Sequence, residues 1–164
     1  MRILTSFAVA LLAHSGSAWA QDPETATLVA ESNAEYGAYV AHSDGRPVYA
    51  FLTDYDIGGD GLDPLESCDI WCRDHWPLVK VERGIRVGDG LDPDLVETRS
   101  VGGEDVLVYA GRTLFHFYRD TAAGMPNGQG VYSFGGYWAL ITPSGSVIRT
   151  GPMDEIDQLP DPPD

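Results

Sequence analysis

Basic residues are scarce in this chain: 10 Lys and Arg stand against 25 Asp and Glu, a net charge of −15 over 164 residues. Binding nucleic acid through its phosphates needs a basic face, so that class of function is disfavoured. Docking on an anionic membrane surface is disfavoured for the same reason. Cysteine is scarce too. Cys68 and Cys72 are the only two, too few for a disulfide framework, so the fold must stand on its own core. After the first twenty residues no apolar run approaches the ~20 residues that a membrane-spanning helix needs. Sustained helical periodicity is also missing. The 19 Gly and 11 Pro mark many turns and argue against a helical bundle or coiled coil. What is present is a hydrophobic content of 43% with 4 Trp, 8 Tyr and 5 Phe. That is enough to build a core, and it excludes global disorder.

The two ends read as dispensable to the fold. Arg2, the apolar run Ile3–Ala13 and Ala18-Trp19-Ala20 have the form of a secretory signal peptide over residues 1–20, cut before Gln21. No cysteine lies near that cut, so no lipid anchor is expected there. Residues 21–35 are polar and acidic and read as a flexible lead-in. Residues 152–164 are rich in Pro and acid and read as an acidic disordered tail. The expected ordered domain is therefore 36–151.

Within it the signals are those of strands and turns. Tyr36–His42 meets a Ser43-Asp44-Gly45 turn. In Pro47–Thr53, Tyr49 and Phe51 alternate with Val48, Ala50 and Leu52, the pattern of a strand. Leu95–Val101, Val106–Ala110, Thr113–Tyr118, Tyr137–Thr142 and Ser146–Arg149 read the same way. Only Leu65–His75 has room for a helix, a short one ending before Pro77. The chain also repeats itself. Gly45-Arg46 and the strand through Tyr49, Phe51 and Asp54 match Gly111-Arg112 and the strand through Phe115, Phe117 and Asp120. Trp76-Pro77-Leu78-Val79 and Trp138-Ala139-Leu140-Ile141 follow the two copies. The expected fold is all-β: two antiparallel β repeats, about 36–83 and 95–151, packed as one pseudo-symmetric domain with at most one short helix.

These residues carry a resemblance. Tyr49-Ala50-Phe51-Leu52-Thr53-Asp54 fits the Y-x-[FWY]-x-x-D pattern of a bacterial secreted repeat, or predicted lipoprotein, family of unknown function. Phe115-His116-Phe117-Tyr118-Arg119-Asp120 departs from it by Phe for the first Tyr. Cys68-x-x-x-Cys72 before Trp76-Pro77 resembles the first repeat of that family. Asn127–Val131 and Gly136-Tyr137-Trp138 resemble its second. The resemblance spans about residues 36–142. It implies export and a repeated unit, and no established activity.

Four constellations could carry chemistry. In an oxidising compartment Cys68 and Cys72 default to a disulfide, whose short loop adds roughly 2 kcal/mol. The alternative is a copper or zinc site in which Cys68, Cys72 and His75 form a C-x3-C-x2-H cluster, with His42, His116, Met125 or an Asp completing it. The acidic loop Asp54–Asp63 has oxygen ligands suited to calcium, but its spacing fails the EF-hand rule and Asp-Gly turn chemistry explains it. Asp54 and Asp120 are a conceivable catalytic pair. Their duplication favours a structural role instead, accepting hydrogen bonds from the following loop. Arg46 and Arg112 are then candidates to pair with them. Tyr49, Phe51, Phe115 and Phe117 read as core, with an exposed platform for sugar or haem as the sharper alternative. His116, standing where the first copy has Ala50, is the motif-strand residue open to specialisation. No hydrolase, zincin, c-type haem or phosphate-loop motif occurs. The expectation is a soluble periplasmic or secreted, non-catalytic binding or envelope-associated module without cofactor. Its partner is an envelope or extracellular ligand, with no nucleic acid, membrane span or lipid anchor. The alternative is a copper/zinc or redox protein.

Overall fold

The computed structural model describes residues 27–53, 65–81 and 84–149. The expected signal peptide, the acidic tail, Asp54 and the acidic loop lie outside them. Among the described residues eight strands run in chain order: β1 Leu28–Asn33, β2 Gly37–His42, β3 Tyr49–Thr53, β4 Val96–Val101, β5 Glu104–Tyr109, β6 Arg112–Thr113, β7 Tyr132–Ser133 and β8 Gly136–Leu140. They form three antiparallel sheets, β1-β2, β3-β8-β7 and β4-β5-β6. One short helix, α1 Ile70–His75, follows a 3-10 turn at Leu65–Ser67. Its N-cap is Asp69, whose side chain accepts from the Cys72 N–H. It ends at Trp76, before Pro77. The all-β architecture with a single short helix is as the sequence indicates.

Two antiparallel β units follow the same plan. β1 pairs with β2 as β4 pairs with β5. Ala41 faces Pro47 as Val108 faces Thr113. The motif strands then exchange partners. Tyr49 pairs with Leu140 in the second Trp strand, while Phe115 pairs with Leu78 in the first. The hydrogen bonds repeat accordingly. Val40 N–H donates to Ile141 and Leu107 N–H to Val79, both at 2.8 Å. This is the pattern of a pseudo-twofold axis passing between the motif strands.

β1 corrects the flexible lead-in expected over 21–35. Residues 28–33 are a strand in continuous register with β2, from Leu28 opposite His42 to Asn33 opposite Gly37. Leu28 is fully buried, and Val87 bridges to it. Asn33 Oδ1 accepts from the N–H groups of Glu35 and Tyr36 and shapes the turn into β2. The strand is held by backbone pairing and one buried side chain, so its sequence shows little apolar alternation. The first unit therefore begins at β1, the counterpart of β4, ahead of the boundary at 36.

β3 is buried on both faces, and its alternation sorts two cores. Tyr49 and Phe51 point into an aromatic cluster with Trp76, Phe115, Phe117 and Trp138. Val48, Ala50 and Leu52 point into an aliphatic one with Val79, Leu107, Leu114 and Ile141.

Candidate functional site

The motif aromatics are a structural spine. Phe51 stacks on Trp138 at 4.3 Å, Trp138 on Trp76 at 3.9 Å and Trp76 on Phe117 at 4.1 Å between ring centroids. The four rings form one column, with each Phe covering the other repeat's Trp and the axis passing between the two indoles. Tyr49 meets Trp76 edge-on and Phe115 meets Trp138 likewise. Tyr49, Phe115, Trp76 and Trp138 have no exposed surface, and Phe51 and Phe117 keep 2% each. Buried rings are no platform for a sugar or haem.

The strand expected over Thr113–Tyr118 ends at Thr113 apart from the bridges at Phe115. Asp120, in the turn that follows with its N–H on the Phe117 carbonyl, is also held by the scaffold. Its Oδ2 accepts from Tyr49 Oη at 2.5 Å. Its Oδ1 accepts from the Asn127 backbone N–H at 2.9 Å and from Asn127 Nδ2 at 3.1 Å. Tyr49 Oη in turn accepts from the Gly128 N–H at 3.2 Å. Burial raises the Asp120 carboxyl above its ordinary value, against the pull of these donors. Arg46 Nε donates to Asp44 Oδ2 at 2.7 Å, two residues away, and its expected partner Asp54 lies outside the described residues. Arg112 reaches the Ala110 carbonyl.

Cys68 and Cys72 are joined by a disulfide and have no exposed surface. Their sulfurs are therefore not the free thiolates that a metal cluster with His75 calls for. Among the described residues no group of three or more His, Cys, Asp or Glu is placed to hold a metal ion. The disulfide pins the start of α1 to the segment before it, and Arg73 Nε caps the Cys68 carbonyl at 2.9 Å. This fixes the outer face of α1, with Trp71 and His75 one turn apart.

Around His75 the two repeats build a partly exposed ring cluster. Trp71, at 5.2 Å, and Tyr118, at 5.0 Å, meet the imidazole edge-on, and Phe134 lies tilted at 5.8 Å. Trp71 and His75 come from α1; Tyr118 and Phe134 come from the second repeat. The Tyr118 N–H donates to the His75 carbonyl at 2.9 Å, which joins the halves. Arg119 Nε donates to Tyr118 Oη at 2.8 Å and sets that ring's position. His75 Nδ1 lies 3.2 Å from the Trp71 carbonyl. A carbonyl only accepts, so in the neutral ring Nδ1 carries the proton and Nε2 keeps its lone pair. Phe134 and Ala110 are the two non-glycine residues at positive φ among the described residues, and Phe134 is the bulky one. It shares the two-residue turn between β7 and β8 with Gly135, at φ 56° and 80° respectively. Glycine adopts that conformation freely, whereas a bulky residue does so at about 1–2 kcal/mol. Tyr118 leaves 43% of its surface to solvent and Ile70, at the start of α1, leaves 81%.

Two other features stand apart. A shallow cleft of about 380 Å³ lies between the β1–β2 turn and the 124–129 loop, lined by Asn33, Glu35, Tyr36, Met125 and Asn127. Most of its amides are already engaged: Asn33 by its turn, Asn127 by Asp120, and Gln129 by Ile148 and Leu140. His116 is buried with its ring edge-on to His42 at 5.5 Å. Burial, with Arg46 and His42 nearby, lowers it to about 4.

The second repeat carries the mark of a known family. Residues 98–142 match the model of a secreted repeat of unknown function. The secreted-repeat match runs from within β4 to just past β8, and so takes in Phe115, Phe117, Asp120 and Trp138. Tyr49, Phe51 and Trp76, the first-repeat counterparts of Phe115, Phe117 and Trp138, are related to them by the pairing and stacking pattern of this fold. No curated protein and no solved structure matches the chain. No helix among the described residues is long and apolar enough to cross a membrane.

Sequence reasoning singled out His75 only as a metal ligand beside Cys68 and Cys72, and it missed Trp71, Tyr118 and Phe134 around it. A signal was present. Tyr118 stands where the first motif strand has Leu52, which is buried. A large aromatic that breaks the match between repeats marks a place where the copies have diverged.

Proposed function

We propose that this chain is an exported, non-catalytic binding module of the periplasm or extracellular space, and that its recognition surface is the ring cluster around His75. One observation carries this reading: Trp71, Tyr118 and Phe134 converge on His75 from both repeats at a partly exposed surface, with Phe134 held in a costly backbone conformation. Aromatic side chains with a few fixed polar groups are the usual lining of a ligand site. A bland turn residue such as Asn or Gly would close the β7–β8 hairpin at lower cost. The engagement of Asp120 by Tyr49 and Asn127 favours a non-catalytic role, because a general acid or base needs its carboxyl open to substrate.

Amide NMR spectra of the labelled protein, recorded against a panel of neutral, cationic and anionic small ligands, test this. Shifts centred on residues 70–75, 117–119 and 133–135 are expected. Shifts confined to the cleft beside Met125 would overturn it. A copper or zinc role at Cys68, Cys72 and His75 would first require reduction of the disulfide. Elemental analysis together with thiol counting separates that reading from this one.

A further inference from the structure

The geometry points to a neutral carbohydrate as the ligand of the Trp71–His75–Tyr118–Phe134 surface. This inference rests on the binding reading above and deepens it to a ligand class.

The lining selects by exclusion and by fit. An anionic ligand meets a chain of net charge −15, which repels it at long range. An organic cation would seek an aromatic face, but the Arg119 guanidinium already lies 5.3 Å from the centre of the Tyr118 ring. A second cation there would face like-charge repulsion. A metal ion lacks its donors, since no group of three or more His, Cys, Asp or Glu is placed to hold one among the described residues.

A sugar ring suits what remains. Its face of C–H groups is weakly positive and lies well against the negative face of an aromatic ring. Tyr118, 43% exposed and held by Arg119, offers such a ring. Sugar hydroxyls need both donors and acceptors. Nε2 of neutral His75 accepts, because Nδ1 is committed to the Trp71 carbonyl. Tyr118 Oη accepts from Arg119 and keeps a proton to donate. The rings are also pre-set. Trp71 and His75 are fixed by a disulfide-anchored helix, Phe134 by a tight turn, and Tyr118 by its N–H bond to the His75 carbonyl. Little ordering entropy is then lost on binding.

The test is titration of the isotopically labelled protein with neutral oligomers of glucose and of N-acetylglucosamine. Polygalacturonate oligomers, choline and a Trp-containing peptide serve as contrasts. The neutral oligomers are expected to shift the Trp71 indole and the Tyr118 amide. Tyr118→Ala should weaken binding about tenfold or more, and Tyr118→Phe by only a few-fold, since the ring face is kept. His75→Ala should weaken binding with the thermal midpoint measured alongside, and Met125→Ala in the distant cleft should leave it unchanged. No shift with any neutral oligomer overturns the carbohydrate inference. If choline or the peptide instead shifts the same residues, the carbohydrate falls and the binding surface stands. If oligomers bind but Tyr118→Ala binds them equally, both fall. Concentration-dependent broadening of these signals without ligand assigns the surface to a second copy of the chain and likewise overturns the carbohydrate.

Discussion

Tyr49 and Phe115 are equivalent residues of the two repeats, and they hydrogen-bond to each other. The Tyr49 N–H donates to the Phe115 carbonyl at 2.9 Å and the Phe115 N–H donates back at 3.0 Å. Only residues beside a twofold axis can pair with their own counterparts in this way. The single difference between them, one phenolic oxygen, then gives the two ends of the domain different chemistry. Tyr49 Oη ties Asp120 to the Gly128 backbone, and Phe115 has no oxygen with which to tie anything.

The aromatic column predicts matched losses. Phe51→Ala and Phe117→Ala each remove an end ring from the same four-ring stack and should each destabilise by about 3–5 kcal/mol. Urea denaturation of the two variants checks this. Losses differing several-fold would mean that the two ends of the column are not equivalent.

Tyr49→Phe copies the second repeat into the first. It leaves the Gly128 N–H and one lobe of Asp120 unpartnered in a buried place, so a loss of about 1–3 kcal/mol is expected. Phe115→Tyr forces an extra oxygen into a fully buried place and is not expected to stabilise. Gly128→Ala should add to the picture, because its Cβ would lie 2.8 Å from Tyr49 Cζ and 2.9 Å from Trp76. Denaturation midpoints of the three variants decide the matter.

Acid should weaken the fold through His116. Its folded value of about 4 lies below the ordinary 6.5, chiefly from burial. The unfolded chain therefore binds a proton that the folded chain refuses between those values. Stability present above pH 6.5 should fall as pH drops from 6.5 through 4. His116→Ala, which installs the residue of the first repeat, should flatten that part of the profile whatever its effect at pH 7. An unchanged slope in denaturation curves taken at half-unit pH steps would show that the decline comes from elsewhere.

The cysteines should be inaccessible to thiol reagents in denatured, unreduced protein. Replacing both by serine should cost roughly 2 kcal/mol, the value of a short closed loop. It should also loosen α1, visible as faster amide exchange at Trp71 and His75. Two reactive thiols in the unreduced protein would contradict the disulfide.

Much of the fold was legible because its signals are local. The alternation of Tyr49 and Phe51 with Val48, Ala50 and Leu52 marks a strand with two apolar faces, and the structure buries both. Pro77 and the short run before it limit the helix to α1. What stayed hidden depends on distant partners. β1 has one fully buried side chain and is a strand because β2 lies beside it. The exchange of Leu78 and Leu140 between motif strands leaves no trace in either strand alone. Arg46 takes the carboxylate two residues away, since a short turn holds Asp44 in reach. The cluster at His75 is gathered from residues 71, 75, 118 and 134, and no spacing along the chain announces it.

The exchange of partners between the repeats sets a rule for the growing polypeptide. β3 is complete early in synthesis, yet the strand that flanks it, β8, is nearly the last to be made. A half-finished chain holds the first motif strand with an open edge and Phe51 without its Trp138. Contacts so far apart along the chain are slow to form. Neither half can mature ahead of the other, so a product cut short before Trp138 should lose both halves together.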